Sequence, residues 1–255
     1  MHESEIWITR IFNDHLAGLG NALLNLGNSA LNLLGIHSGL HAEARPWANF
    51  ITMQILVALI LVVVFALLRP RFSADRPGRF QHTFELIYEF VNGQADEQVG
   101  HEAAPYLAFF GTIFIFILAS NLIGIVPGFE SPTMNPAVPF GCALATFGYY
   151  NMAGISVHGF FRYVRNFAGP MIWLAPLMIP IELIGHLARP LSLGLRLFGN
   201  ITGDHLVTAI FFGLVPLLVP LPVMFLGLFV AFVQTFVFTL LSMAYFSGAI
   251  AHEEH

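Results

Sequence analysis

The sequence contains no lysine, a single cysteine and few charged side chains of either sign. Charged residues make up 10% of the 255 residues, whereas soluble domains carry about 25%. With Cys142 alone, neither an internal disulfide nor a cysteine-based metal site can form. The ten basic residues are all arginines, and their grouping does not suggest a nucleic-acid surface. These scarcities exclude a soluble domain, a disulfide scaffold and a nucleic-acid-binding protein.

Hydrophobic residues dominate the chain, at 56% with a mean hydropathy of +0.74. This composition predicts an all-α polytopic membrane protein with about five membrane-embedded helices and one interfacial helix. The predicted spans cover approximately residues 50–68, 104–126, 137–157, 170–213 and 224–250. We therefore expect an N-terminal segment, residues 1–48, on the outer side, followed by a single membrane domain, residues 49–255.

Arginine placement predicts the orientation in the membrane. The loop after the first span contains Arg69, Arg71, Arg76 and Arg79, and the loop after the third contains Arg162 and Arg165. The loop at residues 127–136 has no basic residue. Because positive loops remain cytoplasmic, the N-terminus is predicted outside and the C-terminus in the cytoplasm.

Two further segments have amphipathic character. Residues 80–99 space their apolar side chains as a helix does and intersperse acidic ones, which favours an interfacial helix. Residues 16–36 mix leucine with four asparagines and are predicted to form a surface helix. The last two predicted spans exceed the roughly 20 residues of a perpendicular crossing, so we expect a long, steeply tilted hairpin.

The fourth predicted span carries an unusual number of ionisable side chains. Between Pro180 and His205 these are Glu182, His186, Arg189, Arg196, Asp204 and His205. An arginine or aspartate at a helix centre costs roughly 2.5–3.5 kcal/mol to insert, so such residues usually face protein or water and mark an ion pathway.

Most of these residues share one face of the helix. At about 100° per residue, Glu182, His186, Arg189, Arg196, Asn200 and Asp204 fall within roughly 80° of one another. His205 lies about 100° from the nearest edge of this polar stripe. The stripe indicates ion transport; the alternative is a set of polar residues that only fixes helix packing.

Residues 190–200 read PLSLGLRLFGN, which resembles the signature of subunit a of the F-type ATP synthase. The likeness extends back to Glu182, forward through His205 and Gln234, and covers most of the chain from the first span onward. It implies a fixed subunit with two offset half-channels that load and unload carboxylates on a rotating ring of c subunits. Arg196 would then be the stator arginine and Glu182 part of the inner half-channel. Asn200, His205 and Gln234 would belong to the outer pathway or the ring interface.

The resemblance also implies the setting. The partners would be the c-subunit ring, the b subunits of the peripheral stalk, the rest of the ATP synthase and the lipid bilayer, most simply in a bacterial inner membrane. It implies no cofactor, no metal and no catalytic site in this chain. A proton is the expected ion, because hard cations such as sodium prefer clustered oxygens to a histidine at position 205.

The chain departs from the family pattern in the outer pathway. Many relatives have a glutamate where this chain has His205, paired with a histidine where it has Gly227, and an acidic residue where it has Gly124. Either His205 acts alone or water fills the space beside Gly227.

Several supporting residues have two interpretations. His186 could partner Glu182 or simply pack, and Arg189 could pair with Glu182 or anchor at the inner interface. Asp204 could feed His205 or face water, and Gln234 could form only a hydrogen bond between helices.

Two other functions were considered. A stand-alone secondary ion transporter should show repeat symmetry, which this sequence lacks. An intramembrane enzyme should show a nucleophile with a base or a metal motif, and neither the HExxH nor the GxSxG pattern is present.

Overall fold

The computed structural model describes residues 5–33, 45–69, 78–126, 128–166, 175–214 and 220–250. Over these ranges the chain is helical and contains no strand. The helices are α1 (Trp7–Leu33), α2 (Asn49–Leu68), α3 (Arg79–Gln98), α4 (Leu107–Ile123), α5 (Ala137–His158), α6 (Phe160–Asn166), α7 (Ala175–Leu214) and α8 (Pro220–Ile250). Two 3-10 segments, Gly100–Tyr106 and Pro132–Met134, precede α4 and α5.

Three helices are long and apolar enough to cross a membrane: Asn49–Leu68, Ala103–Ile123 and Pro222–Ile250. The all-α membrane class predicted from composition is thus confirmed. The five predicted spans correspond to α2, α4, α5, α7 and α8, although the number that crosses the bilayer and their tilt stay predictions. At 1.5 Å per residue the 40-residue α7 is about 60 Å long, twice the hydrocarbon thickness of about 30 Å.

The second predicted span differs in its bounds. Regular α-helix begins at Leu107 and ends at Ile123, rather than covering residues 104–126. Pro105 lies in the preceding 3-10 segment, where its missing N–H cannot continue an α-helical ladder. Some predictions lie outside the described residues: arginines 71 and 76, the first residues of the fourth span at 170–174, and the acidic tail.

The core lies between α3, α4, α5 and α8, with a second cluster that also includes α7. The first is formed around buried Phe110, Phe114, Tyr150 and Phe246. The second contains Ile117, Leu193, Leu197, Ile201 and Phe238. One face of the predicted interfacial helix α3 joins the first cluster through Val91 and Ala95. These contacts fix the position of α7 against α5 and α8.

Gly154 on α5 permits a close approach of two other elements. A Cβ there would lie 2.5 Å from Cε2 of Tyr163 on α6 and 2.9 Å from the Ala249 carbonyl oxygen on α8. We expect Gly154→Ala to destabilise the protein by about 1–3 kcal/mol, the usual cost of overpacking. Gly148→Ala on the same helix meets no atom within 4 Å and is the matched control. Heating the detergent-solubilised complex and following loss of this subunit would test the pair. Equal thermal resistance of both variants would contradict the prediction.

The N-terminal surface helix is present and longer than predicted, as α1. Asn13 exchanges two hydrogen bonds with the backbone of Trp47, at 2.9 and 3.1 Å. The Trp47 indole donates to the Leu16 carbonyl oxygen at 2.9 Å, and Leu16 is the point where α1 departs from helical geometry. This hydrogen bond accounts for the kink, because the Leu16 carbonyl oxygen accepts from the Trp47 indole instead of from a backbone N–H of α1.

Candidate functional site

Helices α7 and α8 run antiparallel, and two contacts define their register. The Asp204 carboxylate on α7 lies against Gly227 on α8. The Arg189 guanidinium lies over the Tyr245 ring, 5.3 Å from its centroid. Arg196 is about midway between these contacts on α7, at the level of Gln234 on α8. Asp204 is eight residues further along α7, about 12 Å from Arg196 along the helix axis.

The outward face of α7 carries Arg196, Glu182 and Asn200, all of them exposed. Leu191 and Leu195 of the same helix are also exposed, at 53% and 51%. Within the described part of the chain, no carboxylate forms an ion pair with Arg196. A guanidinium on a largely apolar surface, with no counter-charge among the described residues, is a candidate contact for a partner that carries negative charge.

The polar stripe divides where His186 turns away from this face. His186 is buried, and its Nε2 lies 2.9 Å from Oδ1 of Asn151 on α5. The same oxygen accepts a hydrogen bond from the Tyr163 hydroxyl at 2.8 Å. The His186 ring also packs on Phe147, with 4.9 Å between centroids. These contacts pack His186 between α7, α5 and α6, and a partnership with Glu182 stays a prediction.

Among the described residues, Arg189 forms no ion pair with Glu182, and its anchoring at the inner interface stays a prediction. It packs on Tyr245, a cation–π contact between α7 and α8. Gln234 is half-buried, and no hydrogen bond joins its amide to another described residue. The helix-to-helix hydrogen bond that was the alternative for Gln234 is therefore absent from the described part of the chain.

His205 and Asp204 are sequence neighbours that point to different helices. His205 Nε2 lies 3.0 Å from where a Cβ on Gly124 would be, and the Ser131 Cβ lies 2.6 Å from the same point. His205 therefore faces the end of α4 and the loop before α5. A Cβ on Gly227 would overlap a carboxylate oxygen of Asp204. The space beside Gly227 thus holds the Asp204 carboxylate, an arrangement that neither alternative, His205 acting alone or water in this space, included.

A buried network of neutral groups connects the loop before α5 to α4 and α8. The Ser131 hydroxyl donates to the Ser120 carbonyl oxygen at 2.8 Å and contacts the Thr133 hydroxyl at 2.6 Å. Thr133 donates to Asn121 Oδ1 at 2.7 Å, and the Asn121 amide donates to Thr235 Oγ1 at 3.3 Å. The network fixes the wall that faces His205.

A family model described as "ATP synthase A chain" matches residues 50–247, most of the chain. The chain belongs to the ATP synthase A chain family. The match includes every residue proposed above for the site, from Glu182 to Gln234.

Individual members of the ATP synthase A chain family are similar over nearly their whole length. The ATP synthase subunit a of Solibacter usitatus is 59% identical over 243 residues, 95% of this chain and 100% of the relative. The protein of the same name in Koribacter versatilis is 40% identical over 97% of this chain and 98% of its own. The ATP synthase subunit a 1 of Syntrophotalea carbinolica is 48% identical over 78% of this chain and 85% of its own.

Sequence reasoning missed the residues of α5, α6 and the adjoining loop that this A chain places against its polar stripe. Asn151 could have been noticed, since an asparagine within an apolar helix needs a hydrogen-bond partner. Tyr163, Ser131 and Thr133 gave no such signal, because they lie outside the apolar spans. No group of three or more His, Cys, Asp or Glu able to hold a metal ion occurs among the described residues.

Proposed function

We propose that this chain is the stationary proton-channel subunit of a rotary F-type ATP synthase. It would provide two offset half-channels to the carboxylates of a c-subunit ring, so that proton flow drives rotation and ATP synthesis elsewhere in the complex. The observation that carries the proposal is Arg196, exposed midway along α7 and without an ion pair to any described residue. A passing ring carboxylate supplies the missing counter-charge.

The chemistry of arginine suits this role. A guanidinium stays protonated, with a pKa above about 12, and cannot carry the travelling proton. Facing a ring carboxylate, it favours the ionised form and so strips the proton before the site moves on. The same charge prevents a proton from passing directly between the two half-channels. Arg196 therefore works as a separator between them.

The titratable side chains on either side of Arg196 are assigned to the two half-channels. Glu182 lies fourteen residues before Arg196 on the same exposed face and belongs to the inner half-channel. Asn200 and Gln234 lie near the level of Arg196, at the ring interface, while His205 belongs to the outer pathway. The carboxylate and the imidazole can exchange protons when water reaches them, as relay groups must.

The proposal includes the partners and the setting inferred from the family. The exposed leucines beside Arg196 are the surface for the c ring, and the peripheral-stalk b subunits and the rest of the ATP synthase complete the assembly. The chain has no catalytic site of its own and lies in the inner membrane of a bacterium. Its N-terminus is outside and its C-terminus in the cytoplasm.

The test uses inverted membrane vesicles that carry the whole complex. ATP addition should acidify their interior, detected by quenching of a pH-sensitive acridine dye, and a protonophore should abolish the quenching. Omitting sodium should leave the rate unchanged. A strict sodium requirement would contradict the proton assignment. Ion transport by this chain in liposomes without the other subunits would favour the stand-alone transporter instead.

A further inference from the structure

Asp204 is the one described carboxylate on α7 or α8 that lies beyond Arg196 toward His205, and the sequence of α8 has none at all. It projects into the space left by Gly227, whose missing Cβ is what allows it there. Asp204 is also partly exposed. It therefore lies at the contact line between α7 and α8, here called the α7–α8 seam, which leads toward the proposed ring interface.

His205 occupies the other side of the same helix. Its ring fits beside Gly124, where the outer end of α4 and Ser131 approach each other. Successive helical residues point about 100° apart, so one peptide unit separates a group facing α4 from a group facing α8. The two side chains are close enough to interact electrostatically.

We propose that Asp204 and His205 are two carriers in series in the outer half-channel, with His205 on the side of outer water and Asp204 on the side of the ring. This deepens the proposed function and rests on it. The proton binds His205 to give an imidazolium, then transfers to the Asp204 carboxylate, which leaves a neutral imidazole and a neutral carboxylic acid. Asp204 finally gives the proton to an ionised ring carboxylate and regains its own negative charge. In pumping, the same steps run in reverse.

Glycine at positions 124 and 227 gives the two side chains their separate surroundings. The two glycines provide the room, and the two adjacent residues on α7 provide the titratable groups. A group facing only α4 would not reach the α7–α8 seam. A group facing only α8 would not reach the outer end of α4. Both neighbours are therefore needed.

Three variants of the whole complex in inverted vesicles test the series arrangement: Asp204→Asn, His205→Gln and the double variant. Asparagine keeps the shape of Asp204 but cannot carry a proton. In series, each single variant should lower the rate of ATP-driven acidification at least tenfold, and the double variant should be no worse than the slower single one. Asp96→Asn on α3, an exposed aspartate, is the matched control and should pump like the wild type.

Parallel carriers would behave differently. Each single variant would then keep about half of the rate, and that result overturns the proposal. Asp204→Asn at the wild-type rate overturns it as well. Both results leave the proposed function intact, since that function fails only if the wild-type complex itself does not pump protons.

Moving the carboxylate across the seam tests its position independently. Asp204→Gly should lose pumping, and adding Gly227→Asp should restore at least a tenth of the wild-type rate, because the carboxylate then enters the same space from α8. Blotting for this subunit in the vesicles confirms that each complex has assembled. No recovery in an assembled double variant overturns the assignment of the carrier to this space.

Discussion

Replacing Arg196 by alanine is expected to abolish ATP-driven proton pumping while the complex remains assembled. At 4 Å and an effective dielectric constant of 20, an opposite charge stabilises a carboxylate by about 4 kcal/mol. That corresponds to about a thousandfold in its protonation equilibrium, at 1.36 kcal/mol per tenfold. Without Arg196 a ring carboxylate would pass the subunit still protonated, and rotation would no longer be tied to proton movement. Dye quenching in inverted vesicles measures the loss.

Arg196→Lys tests whether any positive charge at this position is sufficient, or whether the group must also be unable to release its proton. Lysine is cationic but releases its proton far more readily than arginine when it is desolvated. We expect this variant to be severely impaired as well, because the ammonium can return a proton to the carboxylate it faces. Arg162→Ala on α6 removes an exposed arginine away from the proposed interface and is the control. Coupled pumping by Arg196→Ala at a rate near that of the wild type would remove the basis of the proposed function.

Glu182→Gln is expected to lower proton flux about a hundredfold. This is the low end of the rate factor that a positioned acid–base group typically contributes. Glu182 is exposed on the face that carries Arg196, and glutamine preserves its size and polarity but cannot titrate. The measurement is passive proton uptake after the soluble sector has been stripped from the vesicles, driven by a potassium diffusion potential.

Glu89→Gln on α3 is the matched control for that substitution. Glu89 is also an exposed glutamate, but it lies away from the α7 face. Flux through the Glu182 variant equal to that of the Glu89 variant would show that the inner half-channel does not depend on this carboxylate. Flux reduced in both variants would point to a general effect of lost surface charge.

Helical periodicity grouped six polar residues on one face of α7, and three of them are exposed in the structure. Arg196, Glu182 and Asn200 are on that face, as the stripe requires. His186 is at the edge of the stripe, and the wheel could not show that Asn151 draws it into the protein. A hydrogen-bond partner on another helix decides the environment of such an edge residue.

The space beside Gly227 shows a second reason why the structure differs from what the sequence predicted. The family resemblance pointed to a missing side chain at Gly227, and the alternatives were that His205 acts alone or that water fills the space. Its occupant, Asp204, depends on the register of α7 against α8, which no single-helix pattern contains. The second span begins at Ala103, within one residue of the prediction, but its first turn is 3-10 because hydropathy continues through Pro105 while the α-helical hydrogen-bond ladder does not.

The network of Ser131, Thr133, Asn121 and Thr235 is built entirely from uncharged groups. A voltage across the membrane does work of about 2.3 kcal/mol per elementary charge for each 100 mV, and on a neutral hydroxyl or amide it does almost none. The wall beside His205 therefore keeps its shape when the cell's membrane energises or discharges. Under the proposed function, the field acts on the protons that pass along this wall and on ionised side chains, but not on the wall itself.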